Sequence, residues 1–230
     1  MINLNSICKT FIVLLFAVFL FHNTQAQESI ATARPTLSVG PWVLPEHSFQ
    51  WEQGAQYVDI KGEEWAYDAF FRASISKSAE IRVFVPTLEH KVAAFGVKWM
   101  MIQPEGKKPG VGFSVNMSSF GDNFVISGYR VAVNKKLMDN LVGFVNAGKA
   151  AGGYFGDFTL AYGLGDRFTV VGEYWHHEDW QQAQTGLTYL INSETQIDIN
   201  GGLLFNAAND YTFGVGFARR FKYNGPRNDG

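Results

Sequence analysis

Gln184 to Phe221 reads QTGLTYLINSETQIDINGGLLFNAANDYTFGVGFARRF. Its middle segment, 196–205, has two faces. Ile197, Ile199, Gly201, Leu203 and Phe205 fall on one, and Gln196, Asp198, Asn200 and Gly202 on the other. Successive side chains of a strand point to opposite sides, so a period of two is the mark of a β-strand with unlike faces. Tyr211 to Phe221 repeats the pattern, with Tyr211, Phe213, Val215, Phe217 and Phe221 set against Thr212, Gly214, Gly216, Ala218 and Arg220. The connection NSET at 192–195 is made of turn residues.

The same reading extends back to residue 47. Strands are expected at 47–60, 64–75, 79–86, 91–103, 109–119, 123–133, 140–149, 154–164, 167–176, 181–191, 196–205 and 211–221. No stretch carries a helical period. Tight turns are expected at 76–78, 105–109, 134–139, 165–166 and 192–195, and looser connections at 61–63, 87–90, 121–122, 150–153, 177–180 and 206–210. An even number of strands of about ten residues is the signature of an outer-membrane barrel. The expected fold is therefore all-β: an antiparallel, up-and-down transmembrane barrel of about 12 strands, with 10–14 as the range. The tight turns belong on the periplasmic side, with both barrel ends, and the looser loops outside.

Composition narrows the alternatives. Charged residues make up 17% of the chain and aromatic residues 15%, with 24 glycines, which argues against disorder and against a helical bundle. The net charge of −2 offers nothing to nucleic acid. Residues 1–26 read as a cleaved secretory signal: Lys9, the apolar run Phe11 to Phe21, then Thr24-Gln25-Ala26. The run is too short to span a membrane as a helix, which needs about 20 residues. Removing it leaves a net charge of −3 and takes away the one cysteine, Cys8, and with it any disulfide or thiolate site. Residues 27–46, with Pro35, Pro41 and Pro45, form an N-terminal segment expected below the barrel or inside it. Residues 47–221 are the barrel, and 222–230 a polar tail.

Periodicity alone does not say which face meets solvent, because a soluble barrel alternates too. Aromatic placement does. Trp65, Tyr67, Tyr154, Tyr174, Trp180, Phe205 and Tyr211 gather at the loop ends. Phe49, Trp51, Tyr162, Phe168, Tyr189 and Phe221 gather at the turn ends. Two such belts fit the two interfaces of a bilayer. The chain is expected in the outer membrane of a Gram-negative envelope, with the lipid bilayer as its principal partner.

The last strand resembles the C-terminal assembly signal of bacterial outer-membrane proteins. Gly216 and the terminal Phe221 carry it, and the resemblance implies the barrel-assembly machinery as a partner. Arg219 sits where that signal is usually apolar, and is expected near the headgroups. GLGDRFTVVGEYW (163–175), the stretch from Gln184 and the early ARPTLSVGPWVLPEHSFQWEQGAQY (33–57) resemble the outer-membrane transporter family named for the meta-pathway of phenol degradation. The resemblance covers Arg34 to Phe221. It implies a β-barrel transporter and no particular substrate.

With the apolar face to lipid, the other face lines a lumen. Its expected charges are Glu52, Asp68, Arg72, Arg82, Lys98, Asp157, Glu173 and Asp198. Arg72, Arg82 and Lys98 would lie on one side, and Glu173 and Asp198 opposite, giving a field across the lumen. The expected function is a channel or transporter for small solutes, amphipathic or aromatic ones included, through a narrow charged lumen. Two readings stand beside it: a structural barrel closed by lumen salt bridges, and a soluble β-barrel binding a lipid or glycan. No catalytic residue, cofactor or metal site is expected. His176-His177-Glu178-Asp179 places neighbours on opposite faces, and the lumen carboxylates are explained without glycoside chemistry.

Overall fold

The computed structural model describes residues 30, 32–59, 63–86, 94–120, 123–150, 152–205 and 210–223. The expected signal sequence and residues 224–230 of the expected tail lie outside them. Twelve strands follow in order: β1 (Ser48–Asp59), β2 (Glu63–Ser76), β3 (Ala79–Pro86), β4 (Ala94–Ile102), β5 (Gly110–Phe120) and β6 (Asn123–Met138). Then come β7 (Leu141–Ala150), β8 (Gly153–Leu164), β9 (Phe168–His177), β10 (Gln181–Asn192), β11 (Thr195–Leu204) and β12 (Asp210–Lys222). Each pairs antiparallel with its neighbours, and β1 pairs with β12, Phe49 opposite Phe221 and Tyr57 opposite Phe213, so the barrel closes. Closure leaves no free sheet edge, which a wall in hydrocarbon requires.

The barrel is inside out relative to a soluble one. Phe95, Val131, Val145, Phe158, Ile199 and Val215 are exposed outside, whereas Gln50, Glu52, Arg72, Glu80, Asn146 and Asp198 are buried inside. Among the described residues the one buried apolar cluster, Ile30, Leu190 and Ala218, is small. Such a surface belongs in lipid. Trp65, Tyr67, Tyr154, Tyr174, Phe205 and Tyr211 stand exposed at the loop end, and Phe49, Phe168 and Phe221 at the turn end. Trp180 departs from the expected belt. It turns inward and stacks on Trp175 and His177, with centroids 5.8 and 5.7 Å away. Arg219 lies on the outer face, its guanidinium 5.1 Å from the Phe221 ring, where a long stem can reach the headgroups.

One connection differs from its sequence reading. Residues 134–139 are turn-rich in composition, yet β6 runs on to Met138 and the reversal falls on residues 139 and 140. Asn134 is buried on the lumen face, and its Oδ1 accepts the Gly110 N–H at 3.0 Å. Its polarity serves the lumen and not a turn. At the other end of the barrel sequence, β12 continues one residue past Phe221, and the Tyr223 N–H donates to the His47 carbonyl at 2.9 Å.

Candidate functional site: a lumen occupied by its own N-terminal segment

Residues 32–46 form no strand; residues 32–44 lie within the barrel, and Pro45 and Glu46 are exposed at its turn end. The described part begins near the turn end, where Ile30 packs on Leu190 and Ala218. It rises to mid-barrel around Arg34 to Ser38, and returns to the turn end at Leu44. His47 then turns the chain into the wall with φ of 55°, a left-handed conformation that costs a β-carbon-bearing residue on the order of 1 kcal/mol. We call this segment the strap.

Nearly every charge of the lumen wall touches the strap or a group that does. Glu52 accepts the Ala33 N–H at 2.8 Å. Glu173 takes the N–H groups of Leu37 and Ser38 at 2.9 and 2.5 Å. Asp157 accepts from the Ser38 hydroxyl, which also meets Thr159. Glu80 accepts the Leu44 N–H at 2.8 Å. Lys98 donates to the carbonyls of Gly40 and Trp42, and Arg130 to that of Leu37 at 3.0 Å. A strap without strand partners must satisfy its backbone polar groups elsewhere when buried, and these side chains do that.

The strap also carries a charge of its own. Arg34 reaches Asp68 at 3.3 Å and Asp198 at 3.5 Å, and donates to the Val215 carbonyl at 3.1 Å. Gly54 and Gly216 face it. A β-carbon at either place would lie 2.2 Å from a guanidinium atom of Arg34. Gly112 does the same for Pro41, whose backbone would stand 2.9 Å from an added β-carbon. These glycines of β1, β5 and β12 leave the space in which the strap lies.

The expected site residues therefore separate into groups. Arg72 and Arg82 join with Glu52 and Glu80 on β1 to β3: Arg72–Glu52 3.1 Å, Arg72–Glu80 2.8 Å and Arg82–Glu80 2.6 Å. Lys98 lies beyond them on β4. Asp157 and Glu173 stand together on β8 and β9, joined through Ser38 and Thr159. Asp68 and Asp198 are bridged by Arg34. The expected cations come from β2, β3 and β4 but have Glu52 and Glu80 among them, and Asp198 of β11 lies within reach of the same guanidinium as Asp68 of β2, so the charges do not divide into a cationic and an anionic side. No ion pair among the described residues spans the lumen from wall to wall without the strap.

Sequence reasoning passed over Glu80, Arg130 and Arg34. Period two places Glu80 on the face of Arg82, and Arg130 on the face of Gly128 and Ala132, so both were legible. Arg130 also lies against an aromatic stack, 4.9 Å from the Phe155 ring and 5.4 Å from that of Trp175. Phe155 and Trp175 are parallel at 4.5 Å. His177 faces the lumen, and no group of three metal-ligating side chains occurs among the described residues. Gly165 has a φ of 71°, as a turn glycine does.

The strap divides the interior. On its loop-end side lies a cavity of about 1220 Å³, lined by Arg82, Phe70, Phe84, Ser114, Asn116 and Arg130 among others, and by strap residues from Ala33 to Val39. On the turn-end side is a smaller one of about 200 Å³, reaching Asn140 and Asp166.

No protein-family model matches the chain, and no curated protein matches it in sequence. Its fold does match solved structures. A KdgM porin aligns with a TM-score of 0.59 at 10% identity, over 75% of this chain and 99% of the porin. A NanC porin aligns at 0.56 and 10% identity, over 74% and 98%. An outer membrane channel from Pseudomonas putida F1 aligns at 0.50 and 7% identity, over 79% and 98%. The chain has the fold of outer-membrane porins and channels, and its apolar exterior is made for that setting. At these identities the likeness speaks to the fold and not to what passes through it.

Proposed function

We propose that this protein is an outer-membrane channel for small solutes, amphipathic ones included, whose lumen is held closed at rest by the strap. The observation that carries the reading is the way the strap is held. It is fixed by side-chain hydrogen bonds and ion pairs, and not by strand pairing. Such contacts can be exchanged for water, whereas a barrel strand can leave only by breaking a whole ladder. The phenol meta-pathway resemblance and the export and assembly signals are consistent with this reading. The lumen charges act first as strap anchors, and line the path once it opens.

A specific observation favours a second reading, a structural barrel: with the strap in place each side of it holds a separate cavity. Planar-bilayer recordings decide between the two. The mature chain is expected to conduct in brief events. A variant lacking residues 27–45 is expected to conduct steadily and at a higher level. A strapless barrel that inserts and stays silent would leave only the structural reading.

A further inference from the structure

The loop-end cavity holds a cation with an unpaired N–H donor beside aromatic faces. Arg82 projects into the lumen from β3 and is 6% exposed. Its Nε donates to Glu80, but its Nη2 is buried without a hydrogen-bond partner. The nearby carboxylates are already engaged. Glu80 takes Arg82 and Arg72 on one oxygen, and Arg72 and the Leu44 N–H on the other. Glu52 takes Gln50 and Arg72 on one oxygen and the Ala33 N–H on the other. A guanidinium offers five N–H donors, and an unpaired buried donor is costly, so an outside acceptor is favoured here.

Two rings accompany it. Arg82 sits 5.4 Å from the Phe70 ring centre, and Phe84 meets Phe70 edge to face at 6.3 Å. Both rings lie on the lumen side of β2 and β3 and line the same cavity as Arg82. Phe84 remains 36% exposed, so it has apolar surface left to cover. The lumen-face charges lining this cavity include Arg34, Arg82 and Arg130 against Glu52 and Asp68, and Asp68 is paired with Arg34.

We infer that this cavity is a binding site for an amphipathic carboxylate, its head on Arg82 and its apolar body against Phe70 and Phe84. A charge-assisted bond to the guanidinium selects the anion, and the rings select a body that neither acetate nor butyrate has. A neutral amphipath would cover the rings and offer Nη2 only an uncharged acceptor, a weaker bond. The inference rests on the channel reading for its purpose but not for its test.

The test is calorimetric titration of the folded mature protein in detergent, with protein-free micelles subtracted. The probes are 4-phenylbutyrate, 4-phenylbutan-1-ol and butyrate. Phenylbutyrate is expected to bind saturably, and the alcohol about tenfold weaker, the scale on which a charge-assisted hydrogen bond exceeds a neutral one. Butyrate is expected to be weaker as well. Arg82→Gln should erase the preference for acid over alcohol. Arg82 also belongs to the Glu80 network, so Phe84→Ala provides a second reading should that variant fail to fold. It should narrow the gap between phenylbutyrate and butyrate. Equal binding of acid and alcohol, a preference that survives in folded Arg82→Gln, or an unchanged gap in Phe84→Ala would each overturn the inference. A protein that conducts without discriminating these probes overturns it alone, and one that discriminates but never conducts overturns only the channel reading.

Discussion

The wall and the strap are held by different physics. In the wall, each strand gives its backbone N–H and C=O groups to two neighbours, around a closed ring of twelve. The strap gives its backbone groups to side chains: Glu52, Glu80, Glu173, Lys98 and Arg130. A ladder in hydrocarbon cannot be broken piecemeal, because every freed group would face lipid. A side-chain contact in a polar lumen can be released singly, because water can replace it. The barrel should therefore tolerate changes that move the strap, and the strap should not survive changes that leave the wall untouched.

The largest expected effect comes where the two meet. Glu80 is fully buried and balances Arg72 and Arg82 while holding Leu44. Glu80→Gln leaves the buried Arg82 guanidinium without its carboxylate and Arg72 with Glu52 alone, a change of about 3–5 kcal/mol where a buried pair is broken. Its heat-modifiable transition in detergent gels should move to clearly lower temperature, and its conductance should rise. A variant that melts like the parent would mean that the wall alone carries stability, and the contrast would lose its junction.

Gly112→Leu is the cleaner cut. The added side chain points into the lumen at the place of Pro41, whose backbone cannot give way as a flexible side chain could. The strap should be displaced and conductance raised, with little change in melting, because the β5 ladder is untouched. Unchanged conductance would show that the strap does not obstruct the path.

Phe221→Ala tests the wall by itself. Phe221 lies outside, near Phe49 at 6.2 Å across the closing pair of strands. Fewer barrels should insert, and each inserted one should conduct as the parent does. An altered single-channel level would tie the closing strand to the strap.

The wall was legible in sequence and the strap was not. Strands such as 196–205 and 211–221 announce themselves because lipid on one side and water on the other impose period two. Nothing imposes a period on residues 32–46. Pro35, Pro41 and Pro45 say only that the segment is stiff and unpaired, and its hydrogen-bond and ion-pair partners are scattered over nine strands. The lumen charges were visible as a set, from Glu52 to Asp198, because period two puts them on one face. Their use was not visible, since it depends on Arg34, Ser38 and the Leu44 N–H meeting them in space. Asn134 misled for the same reason: its residue type suits a turn, and only the Gly110 N–H reveals that it faces the lumen.

The smallest expected effect lies at the turn end, outside the membrane span, where β12 is fastened to the turn before β11. Glu194 holds Arg220 at 2.6 Å and Lys222 at 3.1 Å. Burial by itself would raise the Glu194 carboxyl, but the hydrogen bonds and charges of Arg220 and Lys222 outweigh it and hold the group below the ordinary glutamate value. A carboxylate with a lowered pKa stabilises the fold above its unfolded value, about 4.3, and that contribution is lost as the pH falls through the lowered folded value. Lys222 is 67% exposed and Glu194 28%, so water screens much of the pair and its worth stays within about 1 kcal/mol. Glu194→Gln should lower the melting temperature slightly at pH 7, by the same amount at pH 6, and by progressively less below pH ~4.3. The Arg220 Nη2 bond to the Ser193 carbonyl, at 3.1 Å, survives the substitution, so the turn stays in place and only the charge is removed. A difference that persists unchanged into strong acid would mean that Glu194 acts through its shape and not its charge. The fastening of β12 would then belong with the neutral ladder of the wall, and charge would matter to this molecule only in its lumen.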